Sequence, residues 1–170
     1  MVRQMAVFAK ACLEFCCAKT ILPSLCITND WFTAMVPGYA KIGSFGEVFK
    51  GSTFLHICHN LEQTYEGRLF PNPGDGACEF IHQLPRDWFV DPLWGGQVIF
   101  NPSRCAIMLS DQWATVSPSY KEDLLRTSSL QGLLKQKPYP FAFPNGIPVE
   151  ARIKKLNEVA PDHLTAKKLI

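Results

Sequence analysis

The sequence predicts an α/β domain: a Rossmann-like parallel sheet with helices on both faces. Two observations point to this class. Short apolar, β-branched runs and helix-periodic runs alternate about four times along the chain, the pattern of strands joined by helical crossovers. Each apolar run also stops at polar residues suited to a turn or a helix start: Asp30, His59-Asn60, Ser117 and Asn145. In an open parallel sheet the turns after the strands' carboxyl ends border the ligand crevice. The pattern therefore predicts one polar rim for a hydroxyl-rich or phosphorylated ligand.

The elements follow in order. Met5, Phe8, Ala9, Cys12, Leu13 and Cys16 recur at helical spacing, which predicts an amphipathic helix over 2–17. An apolar run over 21–27 reads as the first strand, stopped by Thr28, Asn29 and Asp30, and a second helix begins at about Trp31. Pro37 in that helix marks a kink or its rigid first turns. Residues 41–51 read as a glycine-rich connection. They mimic the phosphate loop of protein kinases, but Lys41 stands where the first glycine belongs, and no V-A-I-K, H-R-D or D-F-G segment exists elsewhere.

Residues 52–58 form a second strand, ending at His59-Asn60. Residues 66–100, rich in Pro, Gly and aromatics, read as an irregular insert in which Trp88 or Trp94 either stacks on a sugar ring or anchors the loop. Asn101 and Pro102 open a short helix over 102–109. The third strand, 112–116, leads into a helix capped by Ser117 or, one step later, by Ser119 with Glu122, and continuing through Leu124 and Leu125 toward Leu130. Residues 141–143 read as a fourth strand running into the Pro144-Asn145-Gly146 turn. A last amphipathic helix, 151–159, breaks at Pro161 and resumes at Asp162; Ile153, Leu156 and Leu169 give it an apolar stripe in need of a partner.

A chain of 170 residues suffices for one domain with a substantial core. With 47% hydrophobic residues and a net charge of +2, its composition gives no reason to expect nucleic acid. No apolar run reaches the ~18 residues of a membrane span, and the amino terminus lacks the order of a signal peptide. Seven cysteines without repeated spacing, five of them (Cys12, Cys16, Cys17, Cys26 and Cys58) in apolar segments, read as reduced thiols in the cytoplasm or plastid stroma. His56, Cys58, His59, Cys78 and His82 make a poor metal set, because neighbours on a strand face opposite ways and no C-x-x-C pair exists.

Asp30-Trp31 followed by Thr33-Ala34, with Pro37 and Tyr39 beyond, resembles the Asp-Trp-His-Thr-Ala segment of bacterial glycogen synthases and plant starch synthases. Further segments resemble that family in order: His59-Asn60 with Tyr65 and Gly67, Ser110-Asp111 leading to Thr115-Val116-Ser117-Pro118 and Tyr120, and Asn145-Gly146-Ile147. The likeness spans roughly residues 8–147.

The resemblance implies part of the N-terminal domain of a two-domain GT-B glucosyltransferase of the family 5 type. Such enzymes move glucose from ADP-glucose or UDP-glucose to an α-1,4-glucan with retention of configuration, and need no cofactor beyond the sugar nucleotide. It implies ligand contacts at Asp30, Trp31, Phe32, His59, Asn60, Tyr65, Ser117, Asn145 and Gly146, with no catalytic residue in this stretch. It also implies that residues 1–170 are a single incomplete domain. The family's Lys-Thr-Gly-Gly loop would lie before Met1, and its donor-clamping C-terminal domain, the missing partner, beyond Ile170. This sequence departs from the family at Phe32, where the family has histidine, at Glu66 in place of Gln, and at Pro148 in place of Asp. These departures lead us to expect no synthase turnover from the chain alone. They also leave open a non-catalytic glucan-binding or docking relative, and an unrelated nucleotide-binding domain.

Overall fold

The computed structural model describes residues 1–61, 65, 78–94, 97–146 and 148–159. Helix α1 (Val2–Ala18) buries Met5, Ala9 and Leu13 at the expected spacing. It ends where Ile21 N–H donates to Cys16 O at 2.8 Å. The first strand, β1 (Leu25–Asn29), starts later than the apolar run suggests. Pro23 has no N–H to give a ladder, and the parallel pairing with β2 (Thr53–Cys58) begins at Leu25↔Thr53 and runs to Asn29↔Ile57. Ile21 and Leu22 are left exposed in the connection, and the polar Thr28 and Asn29 complete the strand.

After β1 comes a 3-10 turn, Trp31–Thr33, rather than a continuous helix. Helix α2 (Val36–Tyr39) then carries Pro37 in its first turn, where a missing N–H is harmless. The glycine-rich connection is in part a short helix, α3 (Gly43–Val48). The region expected to be irregular is regular in several places: α4 (Cys78–His82), a 3-10 turn at Arg86–Trp88, and an antiparallel hairpin of β3 (Val90–Trp94) and β4 (Gln97–Phe100). Residues 66–77, with Glu66 and Gly67, lie outside the described residues, as does the side chain of Trp94.

Helix α5 (Pro102–Leu109) starts as predicted, Asn101 Oδ1 accepting from Arg104 N–H at 3.3 Å. Strand β5 (Gln112–Thr115) precedes α6 (Pro118–Thr127), for which Ser117 and not Ser119 is the cap. Leu130 belongs to the start of a separate turn of helix, α7 (Gln131–Leu134). The fourth strand, β6 (Phe141–Ala142), is two residues long, and α8 (Val149–Val159) is exposed throughout. Leu169, Pro161 and Asp162 lie outside the described residues.

The four strands β1-β2-β5-β6 form one parallel sheet, flanked by helices, so the α/β class is as expected. Alternation along β2 sends Phe54, His56 and Cys58 to one face. There Phe54 joins a core cluster with α1, α2 and α5, while Cys58 and Trp113 join a second with Leu124 and Leu134. Leu25, Ile27 and Phe141 alternate to the other face and are exposed. At the amino ends of β2 and β5, Asp111 takes part in two backbone-level bonds: Phe54 N–H donates to Asp111 Oδ2 at 2.8 Å, and Asp111 N–H to Phe54 O at 2.9 Å. Lys41 Nζ lies 3.1 Å from Asp111 Oδ1.

Candidate functional site

Parallel pairing puts the carboxyl ends of β1, β2, β5 and β6 on a single edge, and the residues that follow them form a rim. Its tightest part joins β1 to β2. Asp30 leaves β1 with φ 51° and ψ −175°, a conformation costly for any residue with a Cβ. In that pose its N–H donates to Ile57 O at 3.0 Å and its Oδ1 accepts from His59 N–H at 2.8 Å. His59 Nε2 stands 3.1 Å from Asn29 Oδ1. Thr33 supports the corner from behind: its hydroxyl donates to Asn29 O and accepts from Asn29 N–H, both at 2.7 Å.

One layer below the rim, Thr28 Oγ1 and His56 Nδ1 share a hydrogen bond of 2.9 Å. His56 is fully buried, and burial, with a smaller contribution from His59, holds its imidazole down to about 3. The ring is therefore neutral at physiological pH and serves as a structural prop beneath the rim. Among the described residues no three His, Cys, Asp or Glu side chains gather as metal ligands.

The β2 and β5 ends are joined in turn. Thr115 Oγ1 donates to Cys58 O at 2.7 Å, and Tyr120 Oη accepts from Leu61 N–H at 2.7 Å. Ser117 Oγ accepts from Tyr120 N–H at 3.4 Å as a long cap and lies 2.9 Å from Ser119 Oγ. Phe143 N–H donates to Thr115 O at 2.7 Å, so the loop to Asn145 and Gly146 leaves from the same edge.

Of the residues expected from sequence, Asp30 and His59 are hydrogen-bonded to each other, and Trp31, Phe32, Asn60 and Ser117 follow the strand ends directly. Asn145, Gly146 and Tyr65 are exposed, and among the described residues the side chains of Asn145 and Tyr65 form no hydrogen bond to the others. Trp88 packs against the first core cluster, which favours the anchoring role over sugar stacking. Beside the rim, Leu61, Tyr120, Asp123 and Thr127 help to line an open hollow of about 280 Å³, which none of the expected ligand residues enters. Sequence reasoning missed Tyr120 and Thr28 as parts of the scaffold. The one available signal was their position, three residues after a cap and first in the polar stop of the apolar run.

With this geometry in view, a family model described as the starch synthase catalytic domain matches residues 2–136. The chain belongs to the starch synthase catalytic-domain family. Relatives include the glycogen synthases of Treponema denticola, 24% identical over 79% of this chain and 27% of their own length, and of Halalkalibacterium halodurans, 30% identical over 68% and 22%. The probable chloroplastic/amyloplastic starch synthase 4 of Arabidopsis thaliana is 30% identical over 77% of this chain and 12% of its own length. Among solved structures, the catalytic domain of Arabidopsis starch synthase IV, bound to ADP and acarbose, superimposes with a TM-score of 0.68 at 24% identity, covering 86% of this chain and 30% of that one. This member of the starch synthase family thus spans less than a third of the length of these relatives. No helix among its described residues is long and apolar enough to cross a membrane.

Proposed function

We propose that this rim is one wall of the crevice in which a starch or glycogen synthase transfers glucose, with retention of configuration, from ADP-glucose or UDP-glucose to an α-1,4-glucan. The second nucleotide-binding domain supplies the other wall. The observation that carries the reading is the Asp30 corner, where a strained residue ties two strand ends together by an ionic hydrogen bond to His59. Backbone strain of order 1–3 kcal/mol persists only where the surroundings enforce it, and it concentrates at ligand clamps. Asp30, Trp31, Phe32, His59, Asn60, Tyr65, Ser117, Asn145 and Gly146 would meet the sugar nucleotide or glucan, and none would perform the chemistry. The names of the relatives support this, as does ADP with acarbose in the structural neighbour. The plastid stroma, after the plant relative, or the cytoplasm is the place of action.

The test is binding and turnover measured side by side on the 170-residue chain. Maltooligosaccharide should bind, while glucose transfer from ADP-glucose or UDP-glucose, followed by label incorporated into glucan, should stay at background. Binding of neither ligand class would overturn the reading of the rim, and measurable transfer would overturn the assignment of chemistry to another domain.

A further inference from the structure

The rim contains one large apolar side chain that reaches solvent. Phe32 lies two residues past the Asp30 corner, on the 3-10 turn that closes β1, and is 40% exposed. It is held on two sides. The Trp31 ring meets it edge-on, centroids 5.7 Å apart at 78°, and the Phe8 ring from α1 is tilted against it at 5.5 Å and 49°. Phe8 is also 40% exposed, so two aromatic surfaces reach solvent side by side at the β1 end of the rim. Trp31 is half-buried against the first core cluster, which fixes the base of the group.

We propose that Phe32, backed by Phe8 and Trp31, is a stacking platform for a pyranose ring of the glucan. This rests on the reading of the rim given above. A pyranose presents an apolar C–H face and a hydroxyl edge, so its complement is a fixed aromatic face next to hydrogen-bonding groups. Both are present at this strand end: the ring of Phe32, and within three residues before it the Asp30 carboxylate and the Asn29 amide, each hydrogen-bonded to the exposed His59. A nucleobase could also cover an aromatic ring. The residue paired with His59 in this turn is a carboxylate rather than a lysine or arginine, however, and that favours a neutral sugar over a ligand bearing a pyrophosphate. The platform thus selects acceptor over donor at this end of the crevice.

The experiment is calorimetric titration of the full 170-residue chain with maltoheptaose and, separately, with ADP-glucose, for the wild type, Phe32→Ala, Phe32→Leu and His59→Ala. Phe32→Leu retains apolar bulk against Phe8 but has no flat face, so it tests stacking even if Phe32→Ala disturbs the fold, which far-UV circular dichroism reports. The expected result is maltoheptaose affinity weakened about tenfold in both Phe32 variants, with ADP-glucose affinity changed less than twofold. Unchanged maltoheptaose affinity in Phe32→Leu, or an equal loss for both ligands, overturns the platform. Maltoheptaose binding that depends on His59 but not on Phe32 overturns the platform alone, whereas a wild-type chain that binds neither ligand overturns the reading of the rim as well.

Discussion

Asp30 combines a strained backbone with a bond that the strain makes possible, and substitution can separate the two. The bond from His59 N–H to Asp30 Oδ1 spans 2.8 Å between an exposed histidine and a half-buried aspartate, where a hydrogen bond to a charged group contributes about 1.5 kcal/mol, the low end of its range. The positive φ of 51° with ψ −175° costs about 1 kcal/mol or more for any residue with a Cβ. Asp30→Ala loses the bond and keeps the strain, for a net destabilisation of about 1.5 kcal/mol. Asp30→Gly loses the bond but releases the strain, for about 0.5 kcal/mol net. Asp30→Asn keeps an acceptor and the strained backbone and loses mainly charge, about 0.5 to 1 kcal/mol. For a chain of this size these figures correspond to falls in Tm of about 3–6 °C for Ala and about 1–2 °C for Gly. Urea and thermal unfolding followed by circular dichroism measure them. Maltooligosaccharide affinity should fall in both Ala and Gly variants, since both release His59. Equal destabilisation by Ala and Gly would refute the strain, and a neutral Asp30→Ala would refute the clamp.

Three further outcomes follow from the same geometry. His56 is neutral when folded and titrates near its ordinary value when unfolded. Protons therefore bind the unfolded chain preferentially between about pH 6.5 and pH 3, and stability should fall by about 1.4 kcal/mol per pH unit across that window while being fully present above it; His56→Gln should flatten the slope seen in urea titrations at pH 4 to 7. Tyr120→Phe removes the acceptor for Leu61 N–H and should cost about 1 kcal/mol, read by the same unfolding assay, with little change in helix content. Cys58 and Cys105 are buried, and burial pushes the Cys105 thiol far up, so a thiol reagent at pH 8 should label both only after unfolding, while the half-exposed Cys16 and Cys17 react in the native protein.

What was legible in the sequence is what local pattern decides. Helix α1 follows from the spacing of Met5, Ala9 and Leu13, and α5 from Asn101-Pro102, because a helix face and a cap are properties of neighbours in the chain. The start of β1 was not legible, because the ladder to Thr53 decides it, and Ile21 and Leu22 look as strand-like as Leu25 when that partner is unknown. The β3–β4 hairpin was missed for a different reason. The density of Pro, Gly and aromatic residues suggested an irregular stretch, although the Gly95-Gly96 pair between two short runs is itself a hairpin signal.

The site shows the same division. That Asp30, His59, Asn60 and Ser117 would end strands was readable from where apolar runs stop, but that Asp30 would grip His59 depends on the register Asn29↔Ile57, a pairing between segments about thirty residues apart. The rim is coupled because each strand end is tied to its neighbour just beyond the ladder. Asp30 joins β1 to β2 through Ile57 O and His59 N–H, Tyr120 joins α6 to the segment after β2, and Phe143 N–H joins the end of β6 to Thr115 O. Thr28 and His56 lock the first of these junctions from below in a buried, neutral pair. Since backbone groups and scaffold side chains make most of these ties, the exposed His59 imidazole, the Phe32 ring and Asn145 remain at the surface of the rim. That division between residues that fix the edge and residues that face outward is what a preorganised sugar site requires, because a ligand then binds without the ordering cost of assembling its own wall.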